Sequence, residues 1–158
     1  MKLWDRVFYE VKKNYPQVKT NKLLVDAATA VMVNNPEKID VMVATNLHAD
    51  ILSDLASALT GSLGIGATAN ITTDKNLPSM FEPIHGSAFD IVGKNIANPI
   101  GAIWSGMMML NHLGEKKSAN RIDKAIKLYA NNSGPFTPDL GGIASTRKVI
   151  DRIINLIK

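Results

Sequence analysis

Residues 81–91 read Phe-Glu-Pro-Ile-His-Gly-Ser-Ala-Phe-Asp-Ile, and Asn98-Pro99 follows shortly after. Gly86 lets a backbone approach a ligand closely, and Ser87 with the neighbouring N–H groups offers donors to phosphate oxygens. The Asp90 carboxylate is suited to accept two hydrogen bonds from ribose hydroxyls. The stretch lacks the G-x-G-x-x-G pattern, so it does not indicate a Rossmann nucleotide site. The alternative is a structural turn in which His85 satisfies a hydrogen bond of the core.

A second set of candidate residues is acidic. Asp50 and Asp54 stand four residues apart in a segment predicted to be helical, so their carboxylates point the same way. Like charges at this spacing cost stability, and a divalent cation would offset the repulsion. Oxygen ligands favour Mg²⁺ or Mn²⁺ over zinc. Asp26, at the end of a predicted strand, is a candidate third ligand. The alternative for such a pair is a solvated helix face.

The hydrophobic pattern predicts an α/β protein. Strands rich in β-branched residues are predicted at 20–25 and 39–44, and small residues over 61–74 predict a hinge or a crossover. Because the early elements alternate strand, helix, strand and helix, mainly parallel strands with flanking helices are expected. Helices are predicted at 3–11, 27–35, 47–60, 100–113, 122–129 and 149–157.

Composition narrows the class of protein. The chain has 158 residues, 46% of them hydrophobic and 20% charged, which is ordinary for a globular protein. It has no cysteine, so disulfides, thiolate catalysis and zinc–sulfur sites are excluded. No apolar run approaches the length needed to cross a bilayer, and the start lacks the apolar region of a signal peptide, so we expect a cytoplasmic protein without membrane contact. The net charge of +4 comes from scattered lysines and indicates a solvated surface, with no nucleic-acid partner.

These segments together resemble the β-decarboxylating dehydrogenases, the family of isocitrate, isopropylmalate, tartrate and D-malate dehydrogenases. The resemblance covers essentially the whole chain and rests on residues 24–28, 46–54, 81–99 and 137–142. It implies an isopropylmalate-dehydrogenase-like α/β fold of which this chain is a partial, truncated version with pieces of both family domains. Residues 1–72 would belong to the dimerisation and metal-binding domain, and residues 73–158 to the NAD-binding domain.

The resemblance also implies two cofactors. One is NAD, and the residues that match the family's cofactor contacts are Glu82, His85, Gly86, Ser87, Ala88, Asp90 and Asn98. The Asp90 carboxylate would repel a 2′-phosphate and so implies NAD in preference to NADP. The other cofactor is Mg²⁺ or Mn²⁺, with Asp50 and Asp54 serving one metal site and Asp26 serving the site of the neighbouring subunit.

No catalytic residue is assigned in this chain. In the family, NAD⁺ oxidises a metal-bound, malate-type 2-hydroxy acid and the product loses CO₂. The family's catalytic lysine and tyrosine would both lie upstream of Met1. The expectation is therefore an oxidoreductase fragment that is inactive without a complementing N-terminal chain. A non-catalytic folded remnant and a nucleotide-binding or interaction module are the alternatives.

Substrate and assembly are also implied by the resemblance. Residues 77–83 and 98–104 look most like tartrate or D-malate dehydrogenases, with isopropylmalate dehydrogenase as the runner-up. The apolar faces at 27–33 and 51–59 match the family's dimer contact, so a homodimer or larger assembly is expected. The chain departs from the family in having His48-Ala49 for Phe-Gly and Phe89 for proline, and both changes are compatible with binding.

Overall fold

The structure is a computed structural model that describes residues 2–74, 76–131 and 134–157. Contacts divide the chain into two compact units, the first ending at Met42 and the second beginning at Val43. The described residues form six α-helices: α1 (Lys2–Lys12), α2 (Val25–Asn34), α3 (Asn46–Leu59), α4 (Ile100–His112), α5 (Lys116–Asn131) and α6 (Thr146–Ile157). They also form strands β1 (Ala67–Asn70) and β2 (Met80–Pro83) and 3₁₀ turns at Pro36–Lys38, Leu63–Ile65 and Pro138–Leu140.

All six predicted helices are present, and the α/β class is confirmed. The start of α4 shows how local chemistry fixes a helix end. The Asn98 side-chain oxygen accepts a hydrogen bond from the Ile100 N–H at 3.0 Å, which satisfies one of the donors that a helix start leaves open. At the other end Gly114 has a φ of 87°, the left-handed conformation that commonly follows a helix.

The strands predicted at 20–25 and 39–44 are wrong for this chain. Over the described ranges the single sheet is the antiparallel pair of β1 and β2, with Ala67 opposite Pro83 and Asn70 opposite Met80, so the expected parallel pairing is also corrected. A strand exists only where a neighbour supplies ladder hydrogen bonds. The two segments have the composition of buried strands but no partner within the described residues, and Val41 is 90% exposed.

The first unit has almost no core of its own. No residue of α1 is buried, and Ala28 is the buried residue of α2. The apolar side of α1 lies open, with Leu3 61% exposed and Val11 51% exposed. An exposed ion pair between Lys22 Nζ and an Asp5 oxygen, 2.8 Å apart, contributes little to stability. Burial within this unit therefore supplies little of the hydrophobic free energy that folding needs.

The second unit contains the hydrophobic core, which forms where α4, α5 and α6 meet. Its buried members are Ile100, Ala125, Tyr129, Ala144, Val149 and Ile153. The Tyr129 hydroxyl donates to the Pro135 carbonyl oxygen at 2.7 Å, which satisfies the polar end of a buried aromatic ring. Burial raises the pKa of this phenol above its usual value. Among the described residues, no helix combines the length and apolar character that crossing a membrane requires.

Residues 61–66, the first part of the 61–74 segment predicted as a hinge or crossover, pack closely against their neighbours. The Gly66 carbonyl accepts a hydrogen bond from the Ile84 N–H at 3.1 Å. A Cβ atom on Gly64 would lie 2.8 Å from the Asn98 Cβ atom, closer than real Cβ contacts allow. The glycines at 64 and 66 therefore allow close packing of this segment. A glycine-rich composition fits a flexible hinge equally well, so the sequence alone could not distinguish the two.

The two compact units differ from the predicted division into 1–72 and 73–158. That division follows the resemblance and concerns the domains of a whole family member, so it stays a prediction. In this chain the boundary after residue 72 falls between two strands that pair with each other, β1 and β2.

Two glycines of α4 give a matched test of the packing. A Cβ atom on Gly101 would lie 2.8 Å from the Gly66 carbonyl oxygen and 2.9 Å from that of Gly64, so Gly101→Ala should destabilise the second unit by roughly 1–3 kcal/mol. A Cβ atom on Gly106 would meet nothing within 4 Å, so Gly106→Ala should stabilise by roughly 0.5–1 kcal/mol through its higher helix propensity. Urea denaturation followed by helical circular dichroism measures both. A gain in stability for Gly101→Ala would contradict the packing described.

Candidate functional site

The predicted cofactor residues run from β2 along an exposed loop to the start of α4. Glu82 is in β2, opposite Thr68 of β1, and its side chain is exposed. The residues 85–90 that follow are all exposed, so their main-chain and side-chain groups are open to a ligand. The His85 Nδ1 atom lies 3.1 Å from the Gly86 carbonyl oxygen, a contact that requires Nδ1 to carry the proton and donate.

A tight turn shapes the middle of this loop. Ala88 has a φ of 40°, a conformation that costs a residue with a Cβ atom about 1–2 kcal/mol. The turn is closed by a hydrogen bond from the Ile91 N–H to the Ala88 carbonyl oxygen at 3.0 Å. Such a backbone conformation turns the chain sharply between Ser87 and Asp90, the two residues predicted to meet phosphate and ribose.

Asn98 is the one predicted cofactor residue that is buried, with 7% of its surface exposed. Its Nδ2 donates to Asp139 Oδ2 at 2.9 Å, and its Oδ1 accepts from the Ile100 N–H at 3.0 Å. Both ends of the amide are therefore engaged within the protein, and the C-terminal end of the loop is anchored to the start of α4.

Asp139 joins three segments that are distant in sequence. Its Oδ2 accepts from Ser62 Oγ at 2.5 Å as well as from Asn98. Ser62 belongs to the turn after α3, Asn98 to the start of α4, and Asp139 to the 3₁₀ turn at Pro138–Leu140. Ser62 Oγ also accepts from the Gly64 N–H at 2.9 Å. One carboxylate thereby fixes the relative positions of these three segments.

Sequence reasoning missed Ser62 and Asp139 as parts of this site. The Thr137–Gly142 segment matched a family signature, but nothing in it indicated which partner its carboxylate would have. The two hydrogen bonds of Asp139 span 77 and 41 residues. Sequence periodicity describes only residues that are close along the chain, so it could not predict these two hydrogen bonds, and only the fold shows them.

The pKa of Asp139 is lowered from its usual value. Partial burial alone would raise it, but hydrogen bonds to the charged form outweigh burial, led by the bond from Ser62 and joined by the bond from Asn98. The nearby Thr137 hydroxyl also lowers the pKa of Asp139. Its oxygen is buried and makes no hydrogen bond of normal geometry in the described part of the chain. Asp139 is therefore an ionised acceptor at neutral pH.

This shift predicts how acid affects the second unit. Because the folded-state pKa lies below the unfolded value of about 3.9, the ionised carboxylate stabilises the fold at higher pH, and this contribution is lost as pH falls from about 4 through the folded pKa. Urea denaturation of the wild type and of Asp139→Asn should show a stability difference at pH about 6 that narrows at pH about 2.5. A difference independent of pH would contradict the ionised network.

The three candidate metal ligands are exposed carboxylates on two helices. Asp50 and Asp54 lie one turn apart on α3, and Asp26 lies on α2 in the first unit, where its Oδ1 accepts from the Ala27 N–H at 2.8 Å. In the ranges described, no group of three or more histidine, aspartate or glutamate side chains is close enough to hold a metal ion. Carboxylate oxygens suit Mg²⁺ or Mn²⁺, but two of them fill only part of an octahedral shell. The three-aspartate site stays a prediction.

The chain is similar to proteins of one known family over nearly its whole length. The model of the family described as isocitrate/isopropylmalate dehydrogenase matches residues 1–153. A protein from Agrobacterium vitis named "Probable tartrate dehydrogenase/decarboxylase" is 53% identical over 157 residues, which is 99% of this chain and 44% of that protein. D-malate dehydrogenase [decarboxylating] from Escherichia coli (strain K12) is 46% identical over 99% of this chain and 45% of its own length.

The fold of the chain is also similar to that of a solved isocitrate dehydrogenase. The crystal structure of isocitrate dehydrogenase from Methylococcus capsulatus superposes with a TM-score of 0.93 at 41% sequence identity, covering 99% of this chain and 46% of that one. The chain therefore spans somewhat less than half the length of the relatives that it matches.

Proposed function

The chain belongs to the isocitrate/isopropylmalate dehydrogenase family, and from this premise we propose that it is part of an NAD-dependent, Mg²⁺- or Mn²⁺-dependent oxidative decarboxylase of malate-type 2-hydroxy acids. The family and the named relatives are decarboxylating dehydrogenases, which are oxidoreductases. The observation that carries the proposal is the match of nearly the whole chain to these enzymes, including the loop at 82–98. The activity itself concerns the whole protein, of which this chain spans a part.

The proposed nucleotide site is the exposed loop from Glu82 to Asn98. It presents main-chain groups at Gly86 and Ser87 that are open to a phosphate, and an exposed Asp90 suited to ribose hydroxyls. The turn at Ala88 and the anchored Asn98 restrict the loop at two points. Because the loop is already restricted before binding, it loses less conformational entropy when it closes around a ligand.

The proposed metal site uses Asp50 and Asp54 of α3, with Asp26 serving the site of a neighbouring subunit. A divalent cation would offset the repulsion between the two carboxylates and, when bound, would polarise the 2-hydroxyl of the substrate as a Lewis acid. The residues of this chain supply charge and position; proton transfer is assigned to residues of a complementing segment. A homodimer or larger assembly follows from sharing Asp26, and the expected cytoplasmic location stays part of this proposal.

The proposed substrates are tartrate or D-malate, with 3-isopropylmalate as the alternative. The proposal rests on the relatives named as tartrate and D-malate dehydrogenases, with identities of 53% and 46%. A second candidate function, a nucleotide-binding module without turnover, is favoured by one observation. The loop and every group that anchors it lie within the second compact unit.

The nucleotide preference can be tested by titrating the chain with NAD⁺ and NADP⁺ in a calorimeter. We expect NAD⁺ to bind more tightly, because the Asp90 carboxylate repels a 2′-phosphate. Asp90→Asn should weaken NAD⁺ binding roughly tenfold, since hydrogen bonds to a charged group are lost. The same substitution should reduce the difference in affinity between NAD⁺ and NADP⁺, because the repulsion of the 2′-phosphate is removed. Asp123→Asn, on α5 and paired with Lys127, is the matched control and should leave both affinities unchanged. An equal loss in the control would show that Asp90 has no specific role.

Turnover can be tested by mixing the chain with a separately produced remainder of the Escherichia coli D-malate dehydrogenase, the part that this chain does not cover. NADH formation from D-malate or tartrate should require Mn²⁺ and both polypeptides, and Asp50→Asn should abolish it because a metal ligand is lost. Activity of the chain alone would contradict the need for a complement. Failure of the mixture, with NAD⁺ binding intact, would favour the nucleotide-binding module.

A further inference from the structure

The Asn98 amide is held in one orientation by two groups of opposite kind. Asp139 Oδ2 lies 2.9 Å from Asn98 Nδ2, and the Ile100 N–H lies 3.0 Å from Asn98 Oδ1. An ionised carboxylate only accepts hydrogen bonds and a main-chain N–H only donates them. Turning the amide over would break both bonds and place like groups together. The orientation is therefore dictated by the partners, and one Nδ2–H remains for a further acceptor.

Asp139 is itself held by the turn after α3, which is separate from the loop at 82–98. Ser62 Oγ donates to the same Oδ2 at 2.5 Å and also accepts from the Gly64 N–H, and 8% of Ser62 is exposed. A Cβ atom on Gly64 would lie 2.9 Å from Asp139 Oδ2, so the turn after α3 packs directly against the carboxylate. The carboxylate oxygen thus has a fixed position from which to orient Asn98.

We propose that Asp139 is a positioning residue for the nucleotide site, which holds the Asn98 amide so that its remaining Nδ2–H meets a hydrogen-bond acceptor of the nucleotide. This inference rests on the proposed NAD site. Asp139 acts through Asn98 and not by contact with the reacting atoms. A ring nitrogen or a hydroxyl oxygen of the nucleotide would suit this neutral donor, because each accepts a hydrogen bond from an amide N–H.

A purely structural role for the network makes a different prediction. Ser62→Ala removes one hydrogen bond to Asp139 and the bond to Gly64, but leaves the bond between Asp139 and Asn98 in place. If the network only stabilises the fold, Ser62→Ala and Asp139→Ala should act on nucleotide binding in the same way. If Asp139 positions Asn98, Asp139→Ala should weaken nucleotide binding more than Ser62→Ala does, because only Asp139→Ala removes the hydrogen bond to the amide.

The test is calorimetric titration of the chain with NAD⁺. Asp139→Ala should weaken binding roughly tenfold, and Asp139→Asn should recover part of the loss because its amide oxygen can still accept from Asn98. Ser62→Ala should weaken binding by a smaller factor, roughly twofold to threefold, because it loosens Asp139 but leaves the hydrogen bond between Asp139 and Asn98 in place. The double variant Asn98→Ala/Asp139→Ala should bind no more weakly than Asn98→Ala alone, because Asp139 acts through that residue. Equal losses in Asp139→Ala and Ser62→Ala, or additive losses in the double variant, would overturn the inference.

A second measurement separates this inference from the proposed function. In ¹H–¹⁵N spectra without ligand, the two Asn98 side-chain N–H signals should be well separated in the wild type and in Ser62→Ala. In Asp139→Ala they should move towards the chemical shifts of a solvent-exposed asparagine side chain. If the wild type does not bind NAD⁺, the proposed nucleotide site of this chain fails. Unchanged Asn98 signals in Asp139→Ala would overturn the hold of Asp139 on the amide whether or not NAD⁺ binds.

Discussion

Two hydrogen bonds to a single oxygen of Asp139 hold together the parts of the second unit on which the candidate nucleotide site depends. One comes from Ser62, in the turn that follows α3, and the other from Asn98, at the start of α4. Hydrogen bonds to an ionised carboxylate are stronger than those between neutral groups, and they outweigh the cost of its partial burial. The end of the exposed loop is thereby tied to rigid structure, while its middle stays open to a ligand.

This network requires main chains to approach closely, and glycine makes the approach possible. Gly64 lies against Asn98 and Asp139, and Gly101 of α4 lies against the carbonyl oxygens of Gly64 and Gly66. A side chain at any of these positions would push the turn after α3 away from α4. Gly64 and Gly66 are therefore packing residues, because a Cβ atom at either position would lie under 3.0 Å from a neighbouring side chain.

The first unit shows the opposite situation. Its helices bury little, and its residues outside the helices expose apolar side chains, with Leu24 69% and Val41 90% exposed. Composition there favours buried strands, and a strand becomes stable only when a neighbour completes its hydrogen bonds and covers its faces. The chain spans 44% of the length of a tartrate dehydrogenase relative, and a counterpart of the part it does not span is the proposed source of that cover.

The sequence by itself determined the α/β class, the six helices and the family, because helical periodicity and short motifs are local properties. The strands predicted from the sequence at 20–25 and 39–44 are wrong, since strand pairing depends on a partner that local sequence does not contain. Nor did the sequence indicate that Asn98 is held by Asp139, or Asp139 by Ser62, because these contacts join residues 41 and 77 positions apart. Only the tertiary structure brings those groups within hydrogen-bond distance, and hydrogen bonds act over a few ångströms of space whatever the separation along the chain.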